Sequence, residues 1–152
     1  MLALIRTHDI DLALFVHVGG AMILVGGLLT AATAATVGWR DESSALRRFS
    51  YKTLLAVALP GWIIMRAGAE WTYTKEHLND LPSDPTWIGI GFTMADIGGI
   101  LLLIALVVGG IGMWRTRQGR GGDGLLKASA VIAGLLVVAY AVAVWAMGAK
   151  PS

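Results

Sequence analysis

"DLALFVHVGGAMILVGGLLTAATAATVG", residues 11–38, carries one aspartate at its first position, one histidine and no other ionisable side chain. It lacks the polar–apolar alternation of a membrane barrel strand. As a helix rising about 1.5 Å per residue it is long enough to cross a hydrocarbon core of about 30 Å. Small residues recur along it every four positions, as Gly27, Ala31 and Ala35 on one face and Gly26, Thr30 and Ala34 beside it. Lipid gives helices no hydrophobic reason to associate, so small residues that let backbones approach supply the packing. The stretch therefore reads as a spanning helix built to pack against another.

Three more blocks of the same kind follow, at about 52–72, 88–114 and 125–147. The chain of 152 residues is 56% hydrophobic and 14% charged, with a mean hydropathy of +0.69. A soluble domain carries about a quarter charged residues, so the shortfall also points to lipid. Small residues appear again in the later blocks, as Gly91, Ala95 and Gly99, and as Ala139 and Ala143. The expected fold is all-α, a transmembrane antiparallel four-helix bundle forming a single domain over 1–152. The lipid bilayer is its first partner, and leftover small faces predict a homo-oligomer or a subunit of a larger membrane complex. The first block is expected to stay in place rather than be cleaved as a signal. Its leading segment has one arginine against two aspartates, and its apolar part is too long.

The loops set the orientation. Arg40, Arg47, Arg48 and Lys52 follow the first block, and Arg115, Arg117, Arg120 and Lys127 follow the third. The middle loop holds Glu70, Glu76, Asp80 and Asp84 against Lys75 alone. Short basic loops stay cytoplasmic, so both termini and the middle loop are expected to be extracytoplasmic, in the inner or plasma membrane. Trp39, Phe49, Tyr51 and Trp114 would mark the inner interface, and Trp71, Tyr73, Trp87 and Trp145 the outer one. Only Trp62 falls within the hydrocarbon. "SDP" at 83–85 and "GRGG" at 119–122 read as turns. The basic pI serves this topology, and no nucleic-acid partner is expected. With no cysteine, disulfides, thiolate metal sites and iron–sulfur clusters are excluded.

Each block also carries one polar group at a similar depth. Arg66 lies about 7 Å inward from Trp71, and Asp96 about 13 Å inward from Trp87, by helical rise. His17 and Tyr140 fall into the same outer slab. Charges in a membrane interior are costly, so these groups are expected to face inward and pair. The candidate polar cluster is His17, Arg66, Glu70, Asp96 and Tyr140, with Arg66 as its cation and Glu70 one turn further along its helix. Pro60 is expected to kink the second helix and re-aim its outer half.

The leading functional expectation is a small polytopic membrane module of unassigned activity, with the cluster structural or partner-facing. One alternative is a haem-b-binding redox protein, with His17 as the iron ligand and Arg66 suited to a propionate. A second is a protomer of an ion or proton channel or transporter, in which Thr30, Thr33 and Thr36 are the polar groups leading inward. A copper site drawn from Met22, Met65, Met94, Met147 and His17 is a weaker idea, because their faces diverge.

"LFVHVGGAMILVGGLL", residues 14–29, with a histidine early in the first helix and glycine-rich apolar sequence after it, resembles a family of bacterial four-helix integral membrane proteins without assigned activity. More distantly it is similar to membrane proteins of the copper-resistance D type and to the small four-helix protoporphyrinogen oxidases. The last resemblance implies haem b binding at His17. Those oxidases carry a basic residue in helix three, where this chain has Asp96.

Overall fold

The computed structural model describes residues 8–76 and 86–148, which are helical almost throughout. Helix α1 spans His8–Arg40, α2 Ser44–Thr53, α3 Leu59–Lys75, α4 Thr86–Arg117 and α5 Asp123–Gly148. A π-helical turn, Leu54–Ala58, joins α2 to α3 without a break. The result is four rods, each long and apolar enough to cross a membrane. His77, Asp80, Asp84 and the expected turn at 83–85 lie outside the described residues.

The second rod starts well before residue 52, where the apolar run begins. Glu42 takes a left-handed φ of 53°, and the Ser43 side chain accepts the Leu46 N–H at 3.4 Å. That cap begins a helix in the polar segment SALRRFSYKT, so the apolar boundary marks entry into lipid rather than the helix end. Pro60, whose ring has no N–H and would press on the carbonyl one turn back, comes just after the α2–α3 joint. The turn before it is a wider π turn, closed by the Leu59 N–H on the Leu54 carbonyl.

Glycines decide which rods meet. A Cβ on Gly20 would collide with the backbone of Ile64 and Met65, and one on Gly68 with that of His17. Gly61 meets the Leu24 backbone in the same way, and a Cβ on Gly27 would come within 2.9 Å of the Ala58 nitrogen. Numbers rise along α1 as they fall along α3, and contacts on α1 fall alternately three and four residues apart. That alternation is the seam of ridges interlocking with grooves at close range. Gly26 and Thr30, the parallel small stripe, face outward instead.

The second pair, α4 with α5, repeats the design. Ser50 donates to the Ala31 carbonyl and Ser129 to the Ala105 carbonyl, each at 2.7 Å and buried. Gly38 packs on Leu46 and Arg47 beside one turn, and Gly112 on Leu125 and Leu126 beside the other. The two helix starts share a leucine, a basic residue two positions on and a serine four positions on: Leu46, Arg48, Ser50 and Leu125, Lys127, Ser129. Large and small trade places at one rung, where Gly61 faces Leu24 in the first pair and Tyr140 lies on Gly98 in the second. Arg47 links the two turns, donating to the Gly38 carbonyl at 3.2 Å and lying 3.4 Å from Asp123.

Leu24, Leu28, Leu54, Leu102 and Leu136 fill the space between the pairs. Tyr51 tucks its ring against Gly109 and Gly110. Phe15, Met22, Leu135, Val138, Val144 and Trp145 stand on the outside. A continuous apolar exterior around an apolar core is what a bilayer requires and water does not tolerate.

Candidate functional site

The backbones of α3 and α4 approach less closely than those of either pair, and long side chains bridge the gap. Trp62, Arg66, Glu70 and Tyr73 are spaced four, four and three apart, which puts them on one face of α3. Trp62 crosses first, its Nε1 donating to the Ala95 carbonyl at 2.9 Å. Gly99 makes this strap fit, since a Cβ there would run into the indole ring. One turn on, the Arg66 Nε donates to Asp96 Oδ1 at 3.0 Å, and its Nη1 donates to Glu70 Oε1. The guanidinium also sits 4.8 Å from the centre of the Phe92 ring, within cation–π range. Tyr73 meets the same ring edge-on, centroids 5.5 Å apart.

Arg66 therefore holds both acidic residues at once. The arrangement is lopsided in two respects. One guanidinium stands against two carboxylates. The arginine side chain is only 23% exposed, whereas those of Asp96 and Glu70 are 56% and 54% exposed. The expected inward-facing cluster is thus an outward-facing seam. Asp96 leaves α4 on the flank beside Phe92, whereas the buried faces of α4 are taken by Ala95, Gly98, Gly99 and Leu102. A carboxylate among those would have displaced the core.

His17 and Tyr140 do not join the ion network. His17 Nδ1 lies 2.9 Å from the Met65 carbonyl, which can only accept, so Nδ1 donates and Nε2 is left outside this bond. Tyr140 is 6% exposed, and its hydroxyl has no hydrogen-bond partner among the described residues. Of the five cluster residues, Arg66, Glu70 and Asp96 meet, while His17 and Tyr140 stand apart.

Gly20, Gly27, Gly61 and Gly68 are spent on close backbone contact between α1 and α3, so no flat cleft opens there. Among the described residues no group of three or more His, Asp or Glu gathers to hold a metal. Met22 points outward and Met65 is buried, so these two thioethers do not converge. Thr30, Thr33 and Thr36 are exposed and line no interior path. A groove of about 420 Å³ does run along Leu29, Thr30, Thr33, Ala34, Val37 and Leu46, but it is apolar and lies toward the basic turns, away from the charged seam.

No family model, curated protein or solved structure matches the chain.

Sequence reasoning noted Trp62 only for its depth and passed over Phe92, Ser50 and Ser129. A serine within an apolar helix is a readable signal, because its hydroxyl needs an acceptor. The repeated leucine–basic–serine spacing was a second one.

Proposed function

We propose that the chain is a small multi-pass module of the plasma or inner membrane, an antiparallel four-helix bundle with both termini extracytoplasmic. It works as a subunit of a larger assembly, attached through the α3–α4 seam. One observation carries this reading: two carboxylates in membrane-spanning helices are more than half exposed on the outside of the bundle. By helical rise Glu70 lies only about 1.5 Å below the level of Trp71, whereas Asp96 lies about 13 Å below that of Trp87. A charge facing hydrocarbon at the depth of Asp96 costs a few kcal/mol on insertion scales, and protein cover removes the cost. The leucine-filled interior speaks against a pathway through one protomer. A channel lined by several copies is one form such an assembly takes.

The test is native mass in polymer-bounded lipid discs extracted from the membrane without detergent. The reading expects particles heavier than one 16.0 kDa chain with its lipid, reverting to a single chain in Arg66→Met/Glu70→Leu/Asp96→Leu. A single chain in the wild type sinks it. Orientation is checked on the cysteine-free background, where a lone cysteine at Gln118 should be shielded from impermeant thiol reagents in intact cells and one at Glu76 labelled.

A second reading, haem b or another metal centre at His17, is favoured by one detail. Ligand histidines typically donate their other ring N–H to a carbonyl, as Nδ1 does here to Met65. The closed glycine seam weighs against a macrocycle. An absorbance scan of the purified protein decides it: a Soret band lost in His17→Ala supports haem, and a colourless preparation removes it.

A further inference from the structure

Resting on the assembly reading, we infer that the partner at the α3–α4 seam is a membrane-spanning helix bearing a lysine or arginine, whose cation completes the Arg66–Glu70–Asp96 network. Three observations point to it.

The first is charge count. Two carboxylates share one guanidinium, which is itself occupied on both of its bonded edges and capped by the Phe92 ring. Both acid side chains are more than half exposed. The missing element is one positive charge, delivered from the direction of lipid.

The second is the internal repeat, which supplies a control within the molecule. Nine residues before the paired alanines Ala31 and Ala105 stand Met22 and Asp96. Sixteen residues after the paired serines Ser50 and Ser129 stand Arg66 and Trp145, or Val144 once the extra residue of the π turn is discounted. The positions on α1 and α5 equivalent to the ion pair are therefore apolar, and Met22, Val144 and Trp145 are all exposed. The equivalent α1–α5 seam is closer packed and carries no ions at these positions, whereas the wider α3–α4 seam carries Arg66–Asp96 across the gap and a second carboxylate, Glu70, that the bridge itself does not require.

The third is depth, which separates the candidate cations. A lipid ammonium sits at headgroup level, near Glu70 but above Asp96, whereas a side chain on a spanning helix arrives at Asp96 directly. A second copy is a poor occupant. Among the described residues, the only cation on the spans at this height is Arg66, already held by its own acids, and two such seams facing each other would set acid against acid.

The experiment uses the full chain with Gln118→Cys carrying a fluorescent donor in phosphatidylcholine vesicles. Acceptor-labelled Leu/Ala spanning peptides carry Lys, Gln, Leu or Glu at one position about 10 Å below the outer end. Interhelical polar contacts in membranes are worth about 1–2 kcal/mol, so the Lys peptide should bind about tenfold more tightly than Gln or Leu. The Glu peptide should bind most weakly. The Lys preference should vanish in Glu70→Gln/Asp96→Asn, and halve or better in Glu70→Gln alone, a milder change in case the double variant misfolds. Equal binding of all four peptides overturns the cation while leaving the seam as a dock. Binding of none overturns both readings. Loss of the Lys preference on adding phosphatidylethanolamine assigns the site to headgroup ammonium and overturns the inference, as does energy transfer between two copies that the Lys peptide fails to displace.

Discussion

Adjacent glycines on α1 allow the close seam to be tested with its own control. Gly19 and Gly20 are neighbours in sequence and sit in the same helix. A methyl on Gly19 meets nothing within 4 Å, whereas one on Gly20 would overlap the backbone of Ile64 and Met65. Gly19→Ala should gain about 0.5–1 kcal/mol from the lower conformational entropy of alanine. Gly20→Ala has the same propensity gain, opposed by overpacking. The obstacle is main chain rather than a flexible side-chain tip, so the helices must separate along the seam, at a cost of about 1–3 kcal/mol or more. Separation also stretches the His17–Met65 bond beside it. The propensity gain is common to both, so the two variants should differ by the overpacking cost, about 1–3 kcal/mol or more. Reversible unfolding in mixed micelles by titration with denaturing detergent, followed by helicity and Trp62 fluorescence, measures the difference. If Gly20→Ala is as stable as Gly19→Ala, α1 and α3 do not meet at backbone distance and the fold described above is wrong at its main contact.

Other perturbations probe the remaining features. Arg66→Met leaves Glu70 and Asp96 without their counter-ion and should cost about 1–3 kcal/mol, discounted for exposure, in the same assay. Adding Glu70→Leu and Asp96→Leu should recover most of that loss, and a further loss would show that the acids have partners other than Arg66. Ser50→Ala and Ser129→Ala should each cost about 1 kcal/mol and add, since they bond in different helix pairs. Strong non-additivity would count against the repeat as two independent units. Tyr140→Phe removes a buried hydroxyl that has no hydrogen-bond partner among the described residues and should be neutral or stabilising by up to about 1 kcal/mol. A clear loss of stability would reveal a bond the hydroxyl makes.

Membrane character and the positions of the four rods were legible because each residue's preference for lipid or water is a property of that residue alone. It sums over a window without knowledge of neighbours, so 11–38 or 88–114 declares itself. The basic turns, with Arg40, Arg48, Arg115 and Lys127, are legible for the same reason. The ends of rods were less so. Ser43 begins a helix in a polar segment, and a π turn precedes Pro60; both depend on local hydrogen bonding that hydropathy does not report.

Which face meets which is a property of pairs, and only the tertiary structure decided it. Gly26 and Gly27 are indistinguishable as letters, yet one faces outward and the other lies against Ala58. His17 and Arg66 looked like members of one cluster at one depth. The fold gives the histidine a backbone carbonyl and the arginine two carboxylates on the bundle's flank. Depth comes from counting along one helix, whereas direction depends on the rotation of each helix about its axis. That rotation is settled by where two backbones can approach, and no single helix contains the information.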